Sequence, residues 1–270
     1  MSAHDDPVGK RFQRYVSDQL CFALPALELA SRESRRGIHQ GRKAVRRARA
    51  ALLLCWRRPT PSVAIALDQL KRANDQLSDL RDANAQVGAL KTLARGASGK
   101  ARHALKIARR SMKRTRARLE CDARSIARVV AARERVAFVS AGIAALPWND
   151  VVDADIQAAL TATRGQVADA RRAALADPSP KKLHTWRRRL RRLLQQYDAC
   201  IALGIPVPAE TLSECVAEQL GRIQDENVLM ASAPQLTGLR GSERRRFRRA
   251  VRKARNEHRK RLLSVVRFIG

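Results

Sequence analysis

Aromatic residues make up only 4% of this sequence, too few for a surface that stacks the bases of single-stranded nucleic acid. Acidic residues are scarce as well, with 25 Asp and Glu against 55 Lys and Arg. No apolar run approaches the roughly 20 residues that cross a bilayer, and the start, MSAHDDPVGKRFQRYV, has no signal-peptide pattern. A soluble, cytoplasmic protein without membrane insertion is the expectation. The five cysteines (Cys21, Cys55, Cys121, Cys200 and Cys215) are odd in number and show neither CxxC nor Cys/His ligand spacing. Free thiols in a reducing compartment are expected, and no metal. Glycine-rich phosphate loops, glutamates at metal spacing and Ser/His/Asp or Cys/His sets are all missing. No catalytic residue and no cofactor is assigned, so the chain is not expected to be an enzyme.

What is abundant is positive charge. The formal net charge is +30 over 270 residues, spread along the chain rather than held in a tail. A fold so charged repels itself, and a polyanionic partner is the natural inference. Nucleic acid, inorganic polyphosphate, an acidic membrane and an acidic protein all qualify. Arginine outnumbers lysine about fourfold, which favours phosphate, because the guanidinium fork can hold two oxygens at once.

The charge is organised by a repeat. Ile38 to Trp56, IHQGRKAVRRARAALLLCW, aligns without a gap on Leu183 to Ile201, LHTWRRRLRRLLQQYDACI. His39 falls on His184, Arg42 on Arg187, Lys43 on Arg188, Arg46 on Arg191 and Arg47 on Arg192. At about 100° per residue these positions share one side of a helix, within about 80° of the His. Ile38, Gly41, Val45, Ala48 and Leu52 gather on the far side, as do Leu183, Trp186, Leu190, Leu193 and Tyr197. Neither copy has an acidic residue among its basic positions, so repulsion along that face is uncompensated.

Other landmarks recur in the same order. Asp82-Ala83-Asn84 lies 43 residues after His39, and Asp225-Glu226-Asn227 lies 41 after His184. With Gly99 set on Gly241, His103 meets Arg245, Lys106 meets Arg248, Arg110 meets Arg252 and Lys113 meets Arg255. Offsets of 0, 3, 7 and 10 again form one stripe, with Leu105/Phe247, Ala108/Ala250 and Met112/Ala254 facing away.

The segmentation is helical throughout. Residues 1–9 are expected to be disordered. Helices are expected from Lys10 to about Ser31 with a kink at Pro25, over the first basic repeat, from Val63 to Leu77 with Ser62 as cap, and from Asp79 to Leu93. One long helix is expected from Gly99 to about Ala145. After the Pro147–Asp150 turn come Ile156 to Ala176, the second basic helix from Lys181, and a short helix from Glu210 to Leu220. LGRIQDENVL follows, then a basic helix to the C-terminus. Residues 10–270 are therefore read as one all-α domain from an internal duplication, with halves at about 10–148 and 151–270.

At these residues the sequence resembles the CHAD family, named for conserved histidines in an α-helical domain. The matching signature is a His with Arg at +3 and a basic pair at +7 and +8, followed by a later Asp-containing helix, all present twice. His39, Arg42, Arg46 and Arg47 carry it once, and His184, Arg187, Arg191 and Arg192 carry it again. The resemblance covers roughly Lys10 to the C-terminus. It implies two pseudo-symmetric four-helix bundles with a basic groove or pore between them that binds inorganic polyphosphate. Members are often fused to a triphosphatase domain; no ExExK motif occurs here, so this copy is expected to stand alone. Gly41 and Lys43 depart from the usual apolar residues, which lets the first helix pack either more loosely or closer to its neighbour. Gln224 replaces the basic residue before Asp225.

Two roles stay open for His39 and His184, contact with phosphate or hydrogen bonding between helices. Asp75, Asp79 and Asp82 form an acidic i, i+4, i+7 face, but the second half has no equivalent, so cap or arginine-orienting roles are preferred to metal ligation. The expected function is non-catalytic polyphosphate binding, with a role in targeting to polyphosphate granules. The alternative is a sequence-independent nucleic-acid binder.

Overall fold

In the computed structural model, residues 6–30, 33–208 and 214–269 are described, with side chains as far as Val266. Among them there are ten α-helices and no strand: α1 Val8–Leu29, α2 Ser34–Cys55, α3 Pro61–Gln76, α4 Ser78–Arg95, α5 Gly99–Cys121, α6 Ala123–Gly142, α7 Asp153–Ala176, α8 Pro180–Ala202, α9 Glu214–Ser232 and α10 Gly241–Ile269. None of the described helices is long and apolar enough to cross a membrane.

The chain divides into two compact units. One holds residues 1–81, 122–170 and 188–208, and the other holds 82–121, 171–187 and 209–270. Each unit draws on both halves of the sequence.

In the first unit α1 buries Phe12, Val16, Leu20, Ala23 and Leu27, spaced so that they fall on one stripe. The helix begins at Val8, inside the segment expected to be disordered, and runs four residues past Pro25. Its expected end at Ser31 lies outside the described residues. The apolar stripe of α2 is buried as its period requires: Ile38, Val45, Ala48 and Leu52 are at most 1% exposed. The two glycines of α2 explain its fit against α1. A Cβ on Gly41 would stand 2.6 Å from Cδ2 of Leu27, and one on Gly37 would fall on the backbone of Ala26 and Ala30. The glycine at the usually apolar position therefore brings the two helices closer. In α3, Thr60 holds the N-cap position and Pro61 the first turn, where its missing N–H costs nothing. Ser62 lies within the helix and is not the cap. Trp148, from the turn expected only to separate halves, is buried in this unit; its indole donates to the Ile143 carbonyl at 2.7 Å and its ring packs edge-on against Trp56.

The helix expected from Gly99 to Ala145 is two helices. Asp122 ends α5 and caps α6, its carboxylate accepting from the Ser125 backbone N–H at 2.9 Å and from the Ser125 hydroxyl at 3.1 Å. The segment Leu220 to Leu229 belongs to α9 without a break, and the expected helix start at Glu210 lies outside the described residues. α8 closes with Gly204 at φ 67°; the Ile205 N–H bonds the Cys200 carbonyl at 2.8 Å and the Gly204 N–H that of Ile201 at 3.1 Å. That Schellman arrangement satisfies two carbonyls the helix leaves open, and it needs the left-handed conformation that glycine supplies.

The second unit packs α4, α5, α9 and α10 around Leu90, Leu105, Ala108, Leu229, Phe247 and Val251. Leu105, Ala108, Met112 and Phe247 are buried as the offsets of the long basic helices predict, while Ala250 and Ala254 are half-buried at the margin.

Candidate functional site: basic helix faces in both units

The first unit brings α2 together with residues 188–202 of α8. Gln196, 1% exposed, donates from its side-chain amide to the Ala50 carbonyl at 3.4 Å, and Arg47 approaches Asp198 at 3.5 Å. Cys55 and Cys200, equivalent positions of the repeat, are both buried and close enough to interact; burial pushes both thiols up, Cys200 to about 11. They therefore stay protonated and inert.

Around this crossing the basic positions cluster. His39 and Lys43 are exposed, Arg46, Arg47, Arg191 and Arg192 half-buried, and Arg188 exposed. Partial burial lowers the His39 pKa first, and the charges of Arg46, Lys43, Arg191 and Arg35 lower it further. Arg191 comes from the other copy of the repeat, so the two basic faces act on one another. The ring should accordingly titrate below its ordinary 6.5, and Arg191→Ala should move it back up, as followed by NMR titration of the imidazole. A His39 pKa left unmoved by Arg191→Ala would mean that α2 and α8 do not share a basic surface. Asp198, fourteen residues after His184, lies on the same arc beyond the basic positions, and it partners Arg47, so that one basic position is compensated after all.

Arg42 behaves differently from its neighbours. Only 8% exposed, it donates to the carbonyl of Asn74 in the last turn of α3. The last four carbonyls of a helix lack intrahelical donors and carry partial negative charge, so a guanidinium there both satisfies and complements the helix end.

In the second unit the counterpart, Arg187, lays its guanidinium over Gly221 of α9, 3.4 Å from where a Cβ would be. His184 is exposed. On α5, His103, Lys106, Arg110 and Lys113 are all exposed, as are Arg245, Arg248 and Arg252 on α10. Arg255 is half-buried and donates to the Asn227 side chain at 3.2 Å, and His103 lies 3.6 Å from Glu243. Two carboxylates of the expected acidic face are already engaged, Asp75 with Lys71 at 3.3 Å and Asp79 with Arg128.

Two features escaped the sequence. Arg49 and Arg35 belong to the first unit's cluster. Arg49, ten residues after His39, sits about 80° from it on the edge of the same arc, but its repeat counterpart is Leu194, so matching the copies hid it. The second feature is a buried pair. Glu226, 3% exposed, has Oε1 2.6 Å from Nδ1 of His258. Burial, then Asp225, raises the Glu226 pKa to about 8 against the pull of Arg255 and Arg222, and burial lowers that of His258. A protonated Glu226 donating to neutral Nδ1 fits both directions. The counterparts in the first half are Ala83 and Arg116, so the repeat held no signal for it.

Folding raises the Glu226 pKa, so its contribution is complete below the ordinary 4.5 and is lost as pH rises through about 8. The His258 contribution has the opposite sign and lies below 6.5, so the interval between 6.5 and 8 isolates Glu226. Melting temperature should fall across that interval more steeply in the wild type than in Glu226→Gln, which keeps a donor to Nδ1. Equal slopes would remove Glu226 as the origin.

No curated protein matches the chain. A solved structure, PptA from Streptomyces chartreusis, is similar with a TM-score of 0.64 at 21% identity, over 98% of each chain; at that identity the likeness is one of fold. Residues 23–230 match the CHAD domain. That span contains both His-plus-arginine helices and both Asp-x-Asn segments, and the chain belongs to the CHAD domain family.

Proposed function

We propose that this protein binds inorganic polyphosphate through its Arg-, Lys- and His-lined helix faces, without catalysing a reaction on it. The observation that carries the reading is the cluster in the first unit. There His39, Lys43, Arg46 and Arg191 raise one another's electrostatic cost, and the carboxylate nearby, Asp198, is held by Arg47. Such a surface is stabilised by an anion with many charges and little width. Membership of the CHAD family supports the same ligand, as does the excess of arginine. The chain is proposed to form a single domain from about residue 10 to 270, built as two pseudo-symmetric four-helix bundles flanking a basic groove. That architecture is supported by the sequence duplication. Localisation to cytoplasmic polyphosphate granules follows from the same ligand.

The test is competition at physiological salt between long-chain polyphosphate and duplex DNA of equal charge. Preference for polyphosphate is expected. Equal competition by DNA would replace this reading with a backbone-binding nucleic-acid protein.

A further inference from the structure

We infer that Arg49, Arg188 and Arg192 form a second phosphoryl subsite at the α2–α8 crossing, one that the repeat does not supply twice. This rests on the polyphosphate reading above and adds a site to it. The Gln196–Ala50 hydrogen bond fixes the geometry. Arg49 is the residue before Ala50, and Arg192 and Arg188 stand one and two turns before Gln196 on the same face of α8. Arg49 and Arg192 are both half-buried, and Nε of Arg49 is buried without a hydrogen-bond partner.

The electrostatics agree with that placement. Burial comes first in lowering the Arg192 pKa, and Arg49, Arg188 and Arg189 follow; Arg49 is likewise lowered by burial and by Arg188. Of the neighbours, Arg189 is committed to the Gln166 carbonyl at 2.9 Å. The carboxylate that acts on Arg49, Asp75, is already paired with Lys71. Three guanidinium groups from two helices thus converge with little local counter-charge, and each presents a fork suited to tetrahedral phosphoryl oxygens. Because Leu194 occupies the counterpart of Arg49, the two copies of the basic helix are not equivalent. Arg49 gives the α2 copy a cation that the α8 copy lacks, and it completes the subsite with Arg188 and Arg192.

Two measurements test this. In the first, long-chain polyphosphate is titrated into wild type, Arg49→Leu and Arg49→Lys over a range of salt. Arg49→Leu, which installs the residue of the other repeat, should weaken binding about tenfold or more. The slope of log K against log salt should flatten by about 0.7–0.9, one contact's worth. Arg49→Lys should keep the slope while losing part of the affinity. In the second, the Arg49 Nε–H resonance, assigned by its loss in Arg49→Leu, is followed as tripolyphosphate is added to wild type. It should shift saturably. Wild type that fails to bind long-chain polyphosphate overturns the proposed function. Wild type that binds while Arg49→Leu matches it in affinity and slope overturns the subsite. An Arg49 signal unmoved by tripolyphosphate also overturns the subsite, whatever long chains do.

Discussion

Raising salt from 50 to 200 mM should weaken long-chain polyphosphate binding by about 10³–10⁵-fold. The estimate follows from counterion release: each cation that contacts a phosphate frees a condensed ion, and roughly six to ten contacts produce a loss of that size. The contacts are available in the geometry described. In the first unit Lys43, Arg46, Arg188, Arg191 and Arg192 all retain exposed surface, and in the second Lys106, Arg110, Lys113, Arg245, Arg248 and Arg252 are exposed. At ordinary ionic strength the Debye length is about 8 Å, so charges scattered beyond that distance would each act alone and weakly. Steep dependence therefore reports several cations meeting one chain. A nearly flat dependence, read by titration calorimetry or filter binding, would show that the basic faces are merely solvated.

Leu190→Ala should cost about 2–5 kcal/mol, a fall in melting temperature of about 5–20 °C, whereas Arg191→Ala next to it should leave stability within about 0.5 kcal/mol. The contrast comes from one helix with two faces. Leu190 is fully buried, and removing its side chain leaves a cavity that the packed neighbours fill only in part. Arg191 is half-buried beside His39, among the same cations that lower the pKa of that ring, so truncating it removes repulsion as well as contacts. Binding should respond in reverse: Arg191→Ala and Arg46→Ala should lose polyphosphate affinity, and folded Leu190→Ala should retain it. Thermal melts with the opposite order of stability would mean that the faces of α8 are inverted.

The amino-acid order by itself determined the helices and their two-faced character, because periodicity is local. Ile38, Val45, Ala48 and Leu52 recur at helical spacing, and each is buried. His39, Lys43 and Arg46 occupy the opposite arc, and each keeps exposed surface. Proline punctuation located the end of α2, the start of α3 and the end of α7 to within a few residues, since those residues act on the backbone where they stand. The break at Asp122 was written in the sequence too, as a cap with Ser125 three residues on, but the apolar and arginine pattern runs through it and concealed it. Only the tertiary structure decided what each face meets. Arg42 lies on the basic arc like Arg46, yet the end of α3 lies beside it and takes its guanidinium into a helix cap. Asp198 meets Arg47 across 151 residues, and Glu226 meets His258 where the other repeat has Ala83 and Arg116. A sequence period fixes an angle around one helix axis and carries no distance to a second helix. Coulomb energies, desolvation and hydrogen bonds all depend on that distance, so the residues that share charge had to wait for the fold.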